Sequence, residues 1–382
     1  MSWKTYKLSE LCNVFADGDW IESKDQSPEG IRLLQTGNIG VGVFKEREDK
    51  ARYVSEETFK RLNCEEVFEG DLLISRLPEP VGRGCLIPSI TSRAITAVDC
   101  TIIRVKSDLV DKRYLEYFIQ SQRYQTEIQS KVTGTTRQRI SRKNLGEISI
   151  VLTSLPVQKQ IVEKLDAAFS DIDKGISVTE KNLENAEALF QSLLNNQFNS
   201  KENLLSLKEV AELDKKQGKY MDLPYIGMED IESGTGKFLG DLSNKEMKSN
   251  TFKFNSDHLL YGRLRPYLNK VMLPDFEGHC STEIFPILVK ESIKKEYLFY
   301  WLISEETVKQ INRTSTGARM PRANYKAIEE FKLNVPDINS QMEIVKKIKA
   351  IELKLRNYKH LNTKKISEFN LLKSSILNQA FS

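Results

Sequence analysis

The sequence predicts an α+β chain built twice: two globular mixed domains joined by two long antiparallel helices that form a coiled coil, with an internal pseudo-two-fold duplication. Three observations carry that expectation. One half of the chain repeats the other, each half ends in an apolar stripe about forty residues long, and each begins with short β-branched runs bounded by turn residues.

The repeat is read segment by segment. "LSELCNV" from Leu8 returns as "LKEVAEL" from Leu207, 199 residues later, and "GDLLISRL" ending at Leu77 returns as "DHLLYGRL" ending at Leu264, an offset of 187. "RYLEYFI" from Arg113 matches "EYLFYWL" from Glu296, and "TGTTRQRIS" from Thr133 matches "TGARMPRAN" from Thr316, both at 183. From 158 to 199 the offset holds at 183 without a gap, with "QKQIVEKLDAAF" answered by "QMEIVKKIKAIE". The falling offset puts differences in loop length at the front of each half. The constant offset makes the rear a fixed part.

The front parts, about 1–155 and 200–336, hold runs such as "DLLISRL", "CTIIRV", "EISIVLT", "EIFPILV" and "FKLNV" between Gly, Pro, Asn and Asp. Amphipathic helices are expected near 114–128 and 297–311. The rear parts, 156–199 and 337–382, are expected to be helices of about 60 Å. In the first, Ile161, Leu165, Phe169, Ile172, Ile176, Thr179, Leu183, Ala186, Phe190 and Leu193 step by four and three. In the second, Ile344, Ile348, Ile351, Leu355, Tyr358, Asn362, Ile366, Phe369, Leu372 and Ile376 do nearly the same. Part of an ordinary helical core is the alternative; a seam of five heptads favours the coiled coil. Thr179 and Asn362 are equivalent under the repeat, and the expectation is that they face each other and fix the register.

Composition narrows the function. The chain has 382 residues, 40% hydrophobic and 9% aromatic, enough for real cores. It has no apolar run of membrane-spanning length, and "MSWKTYKLSE" lacks the apolar stretch of a signal peptide, so a soluble, cytoplasmic protein is expected. Cys12, Cys64, Cys85, Cys100 and Cys280 form no close pair and read as reduced thiols, without a zinc site. Net charge is only +4, yet 128–146 holds Lys131, Arg137, Arg139, Arg142 and Lys143 with no acid. Likewise 307–328 holds Lys309, Arg313, Arg319, Arg322 and Lys326 with no acid. Charge is sorted into patches.

No catalytic constellation is recognisable. "ESGTGKF" from Glu232 lacks the first Gly and the closing Ser or Thr of a phosphate-binding loop, and "DLPY" from Asp222 has Leu223 where a base-flipping methylase motif has Pro. "PDFEGH" from Pro274 has no Lys two residues after Glu277, as a metal-dependent nuclease of that kind requires. His258, His279 and His360 are not spaced as metal ligands or as part of a triad; the first two read as structural or DNA-contacting, the third as exposed. Neither a catalytic group nor a metal site is assigned.

The basic loops suit DNA better than a nucleotide. A nucleotide loop needs several N–H groups at a helix start and a metal partner, whereas "TGTTRQRIS" offers one Gly and no carboxylate. Two copies ask for a repeated ligand, and duplex DNA presents phosphates and groove edges at regular spacing. Arg137, Arg139, Arg319 and Arg322 suit guanine edges or phosphates, and Thr135, Thr136 and Gln138 suit bases or backbone. Lys131, Arg142, Lys143, Arg313 and Lys326 extend the two patches. A second cluster in each half adds Arg76 and Arg83, and Arg263, Arg265, Tyr267 and Lys270. Solvated surface charge is the alternative for any one of these residues. Because the two loops differ, the expected target is bipartite and asymmetric, with half-sites about one helical turn apart.

The layout as a whole resembles the specificity subunit of type I restriction-modification enzymes (HsdS-like). The resemblance rests on the duplicated order of the "LSELCNV" and "LKEVAEL" openings, the "GDLLISR" and "DHLLYGR" strands, the loops from Thr133 and Thr316, and the "LPVQKQIVEKLD" and "QMEIVKKIKAIE" helix starts. It departs at Met320 and Pro321, which make the second loop less polar. It implies two target-recognition domains, 1–155 and 200–336, each followed by a helical region. It further implies a non-catalytic chain that selects double-stranded DNA for two adenine-methylating subunits and for restriction subunits. S-adenosylmethionine, ATP and Mg would belong to those partners, with none in this chain, and the target adenine would flip into a partner's pocket. The helices would dock the partners, with Glu180, Lys181, Glu184, Lys364 and Lys365 as candidate contacts. A stand-alone bipartite DNA-binding regulator and a coiled-coil scaffold are the competing classes.

Overall fold

The computed structural model describes residues 3–244, 247–317 and 319–382. The chain divides into two compact units, one of 1–178 with 365–382 and one of 179–364. The two are built alike. In the first unit, an antiparallel sheet orders Cys12–Asp17, Cys100–Val105, Leu72–Ser75 and Gly84–Leu86. In the second, Ala211–Leu213, Ile284–Val289, His258–Gly262 and Val271–Met272 follow the same order. Cys100 pairs with Ser75 as Ile284 pairs with Gly262. A two-stranded ribbon accompanies each sheet, Lys4–Lys7 with Ser149–Leu152 and Leu204–Ser206 with Lys332–Asn334.

These strands read as continuous apolar runs because both faces of the sheet are covered. Leu72, Ile74 and Ile103 enter one core with the helices, while Leu73, Cys85 and Ile102 enter another on the opposite face. The second unit alternates in the same way, with Leu259, Tyr261 and Ile287 on one side and Leu260, Met272 and Ile284 on the other. The halves diverge in a further sheet, five-stranded in the first unit and four-stranded in the second. That is where the repeat offset changes.

The rear helices run Leu155–Phe198 and Ile338–Ala380, 44 and 43 residues. Pro156 lies inside the first turn of its helix, where its missing N–H costs nothing. Each unit is closed by the start of one long helix and the end of the other. In the first unit Val162, Leu165, Leu377 and Phe381 enter the core; in the second Leu194, Phe198, Val345 and Ile348 do so. Phe381 meets the edge of Tyr114 at 5.2 Å, and Phe198 meets Tyr297 at 5.1 Å, both pairs related by the 183 offset. The helix segments are antiparallel within each unit, with Lys373 on Asp173 at 2.8 Å in the first and Lys359 on Glu187 at 2.6 Å in the second.

A buried glutamine fixes each helix start. Gln158 donates to the Thr153 and Leu109 carbonyls at 2.8 and 3.0 Å and accepts from the Asp111 N–H at 2.9 Å. Gln341 repeats this with Pro336, Ser292 and Lys294 at 2.7, 3.1 and 2.8 Å. Every partner is shifted by 183.

The seam differs from the simple heptad. Leu165, Ile172, Thr179 and Ile348 are buried, and Phe169, Ile176, Leu183, Leu355, Asn362 and Ile366 are half-buried. Ile351 and Tyr358 are 36% and 38% exposed, and Leu193 and Leu372 are also exposed. Leu194, next to Leu193, and Leu377, one past the seam residue Ile376, are buried instead, because the helix ends pack against domain cores and a 3.6-residue turn drifts off a seven-residue repeat. With Lys359 opposite Glu187, Asn362 lies level with Glu184, about 7.5 Å along the helix from Thr179, and the Asn362 amide donates to the Tyr358 carbonyl at 2.8 Å. The expected facing pair is therefore not supported by this register. Among the described residues, no helix is long and apolar enough to cross a membrane.

Candidate nucleic-acid interface

The two basic loops share one backbone. Thr133 bridges Arg139, and Thr316 bridges Arg322, closing each loop at the same register. Gly134 and Gly317 adopt φ of +94° and +97°, a region that favours glycine. Each loop is stitched to the end of its strand, the Ile140 N–H donating to the Arg76 carbonyl at 3.2 Å and the Ala323 N–H to the Arg263 carbonyl at 2.8 Å. Each then leads into a short helix, capped by Ser141 and by Asn324.

The fold supplies acids that the local sequence lacks. Arg139 pairs with Asp99 at 2.9 Å, and Arg142 lies 4.0 Å from Asp17. Arg322 grips both oxygens of Glu283 at 2.9–3.0 Å. The outer side chains remain available. Thr135, Thr136, Arg137, Gln138 and Lys143 are exposed in the first loop region, and Arg313, Arg319 and Lys326 in the second. Among the described residues no acid forms an ion pair with Arg137 or Arg319. Lys131 is half-buried at a helix end.

The strand-end cluster departs from the sequence expectation. Arg83 is 8% exposed, donating to the carbonyls of Ile39, Leu77, Thr36 and Pro80 at 2.8, 2.8, 2.9 and 3.1 Å. Arg76 is 3% exposed, donates to the Val98 carbonyl at 2.6 Å and lies 3.2 Å from Asp17. Burial pushes both guanidinium pKa values down. Both guanidinium groups are thus engaged within the fold as structural pins. Lys270 is likewise committed to the Met228 carbonyl at 2.6 Å. Arg263 lies over the Phe285 ring and 3.7 Å from Glu283, whereas Arg265 and Tyr267 are exposed on a turn whose Arg265 N–H donates to Pro321 at 2.7 Å.

The other motifs resolve into structure. "ESGTGKF" is a hairpin closed by Ile231 and Phe238, and among the described residues no helix follows it directly for a phosphate to cap. Its counterpart is the 39–44 hairpin, closed by Ile39 and Phe44. His279 is buried, bonded to Thr251 at 2.8 Å and flanked by Tyr220 and Tyr225, and burial lowers its pKa. His258 is buried beside Asn255 and Asp214. Neither reaches a ligand surface, and His360 is exposed. Glu277 pairs with Lys253 at 2.6 Å. Among the described residues no His, Cys, Asp and Glu cluster could hold a metal.

Two features escaped the sequence reading. An open cleft of about 380 Å³ on the first unit is lined by Gln35, Asn38, Arg47, Lys50 and Arg52; the intervening Glu48 and Asp49 masked its charge. A groove of about 970 Å³ on the second unit lies between the 232–237 hairpin and long-helix residues including Glu187, Phe190, Leu355 and Lys359.

Two chemically different loops on one duplicated scaffold define a chain that presents the same kind of surface twice. The chain belongs to the type I restriction modification DNA specificity domain family, whose profile matches residues 1–182 and again 196–369. The EcoDI type I restriction enzyme specificity subunit of Escherichia coli is 25% identical over 289 residues, covering 65% of this chain and 65% of that protein. The MjaVIII type I restriction enzyme specificity subunit of Methanocaldococcus jannaschii is 24% identical over 198 residues, 50% of this chain and 44% of that protein. The chain thus matches less than two thirds of either relative's length. In fold it is similar to a chain from a study of complex assembly and conformational transition of the type I R-M system, with TM-score 0.71 and 16% identity over 99% of this chain and 97% of that one. It is also similar to the HsdS subunit from Thermoanaerobacter tengcongensis, with TM-score 0.55 and 16% identity over 99% and 96%.

Proposed function

We propose that this chain is the DNA sequence-specificity subunit of a type I restriction-modification complex, reading a bipartite, asymmetric double-stranded target with one loop region per half. The observation that carries the reading is the pair of loops, 133–139 and 316–322, with one closure and different outward side chains. A shared backbone presents Thr135, Thr136, Arg137 and Gln138 on one unit and Arg319 and Met320 on the other. Phosphate contacts from Lys143, Arg313 and Lys326 would position the chain, and the loop tips would read base edges.

In this reading the chain is non-catalytic. Adenine methylation, with S-adenosylmethionine, belongs to two methyltransferase subunits, and ATP- and Mg-dependent cleavage to restriction subunits. The long helices are their docking surface. Support comes from apolar side chains left exposed at repeat-related positions, Val178 and Leu372 on the first unit and Leu361 and Leu189 on the second. Of the charged candidates, Lys181 and Glu184 already pair with each other at 3.0 Å.

The test is to assemble the chain with type I methyltransferase subunits and map methylated adenines across random DNA. A single split motif that appears only when this chain is present is expected. Methylation by the isolated chain would point to an enzyme; sequence-selective binding without any partner assembly would favour a regulator; no selectivity with partners supplied would favour a scaffold.

A further inference from the structure

Each basic loop is held by one acid, and the acid comes from the same place in both halves. Asp99 immediately precedes Cys100, which pairs with Ser75; Glu283 immediately precedes Ile284, which pairs with Gly262. The Arg76 N–H donates to the Asp99 carbonyl, and the Arg263 N–H to the Glu283 carbonyl, both at 2.9 Å. Each carboxylate then serves a repeat-equivalent pair of guanidinium groups. Asp99 lies 2.9 Å from Arg139 and 4.0 Å from Arg76. Glu283 lies 2.9 Å from Arg322 and 3.7 Å from Arg263. The clamp is duplicated while the loop tips between its anchor points differ, so it belongs to the presentation of the tips and not to what they read.

We propose that Asp99 and Glu283 are positioning residues for sequence recognition, one for each half of the target. Each carboxylate holds its loop's inner arginine against the sheet edge and keeps that cation off the DNA. The outer side chains, Arg137 with Thr136 and Gln138 in one half and Arg319 in the other, are then the groups that meet base edges. This rests on the assignment of the loops to DNA. It predicts a signature opposite to loss of a contact. Without the carboxylate, the backbone bridge still closes the loop, but Arg139 or Arg322 is released as a mobile cation that takes any phosphate within reach. Discrimination falls while sequence-independent binding rises.

The experiment uses the full chain and the duplex found by methylation mapping, with variants of that duplex carrying a scrambled first or second half. Asp99→Asn is expected to lower discrimination of one half at least tenfold and leave the other intact. It should also strengthen binding to fully scrambled DNA and steepen the log K against log salt slope by about 0.9, one phosphate. Glu283→Gln should do the same to the opposite half, and Asp99→Glu should restore discrimination. Stronger binding to scrambled DNA separates a released cation from a misfolded unit, which would lose its half of the target without gaining sequence-independent affinity. Unchanged discrimination, equal loss on both halves, or weaker binding to scrambled DNA overturns the clamp. Arg137→Ala and Arg319→Ala run alongside: if they act half by half while the acid variants do nothing, the clamp alone fails. If all four variants are without half-selective effect, the DNA assignment fails and the clamp with it.

Discussion

Arg83 separates a structural pin from a DNA contact, and the difference is measurable. Its guanidinium donates to four carbonyls, of Ile39, Leu77, Pro80 and Thr36, in a site 8% exposed. Arg83→Lys keeps the charge but cannot span four acceptors with one ammonium. Leaving a buried polar group unpaired costs about 1–3 kcal/mol; the Thr36, Leu77 and Pro80 carbonyls keep a second donor in the Ile39 N–H, the Ser75 hydroxyl and the Arg83 N–H, so stranding the Ile39 carbonyl costs about 2 kcal/mol. In a unit of about 200 residues each kcal/mol lowers Tm by about 2–4 °C, so a fall of about 4–8 °C is expected for the first unit. Differential scanning calorimetry of the full chain reads this, with the second unit's transition as internal control. A lysine variant with unchanged Tm and altered DNA affinity would refute the argument and return Arg83 to the interface.

Further outcomes follow from the same geometry. Gln158→Leu strands two carbonyls and one N–H in the first unit, and Gln341→Leu does so in the second, each costing about 3 kcal/mol; denaturant titration followed by the buried Trp301 should register only Gln341→Leu. Gly134→Ala should be more damaging than Gly317→Ala, because its new Cβ would lie 2.5 Å from the Arg137 carbonyl oxygen against 3.2 Å from that of Met320; equal losses in DNA affinity and Tm would count against the loop geometry. Burial pushes the thiols of Cys12, Cys85 and Cys100 up to about 12, so the thiolate is scarce at pH 8 and grows as pH rises toward that value. Alkylation of these cysteines at pH 8 should therefore wait for unfolding, and prompt labelling of the folded chain would contradict their placement.

The duplication, the long helices and the loop pair were legible because they rest on local periodicity and on sequence that repeats at a fixed offset. The role of individual cations was not. Arg76 and Arg83 sit on a strand end and in a turn that look exposed in sequence, but each is surrounded by carbonyls from segments tens of residues away. The acid-free patches were neutralised in part by Asp17, Asp99 and Glu283, all distant in sequence. The pins Gln158 and Gln341 were visible as equal letters in the repeat, yet nothing in their local pattern announced a buried side chain. Along the helices, Ile351 and Tyr358 followed the heptad and are exposed, because a seam predicts burial against one partner and the helix ends here pack against domain cores.

In the proposed function the two units read different halves of one DNA target. Base-resolution protection of the mapped duplex distinguishes this from a single shared site, comparing the unsubstituted chain with Arg137→Ala and Arg319→Ala. Two separated protected segments are expected, each weakened by one substitution and spared by the other. One continuous protected segment, or the joint loss of both segments with either substitution, would contradict it.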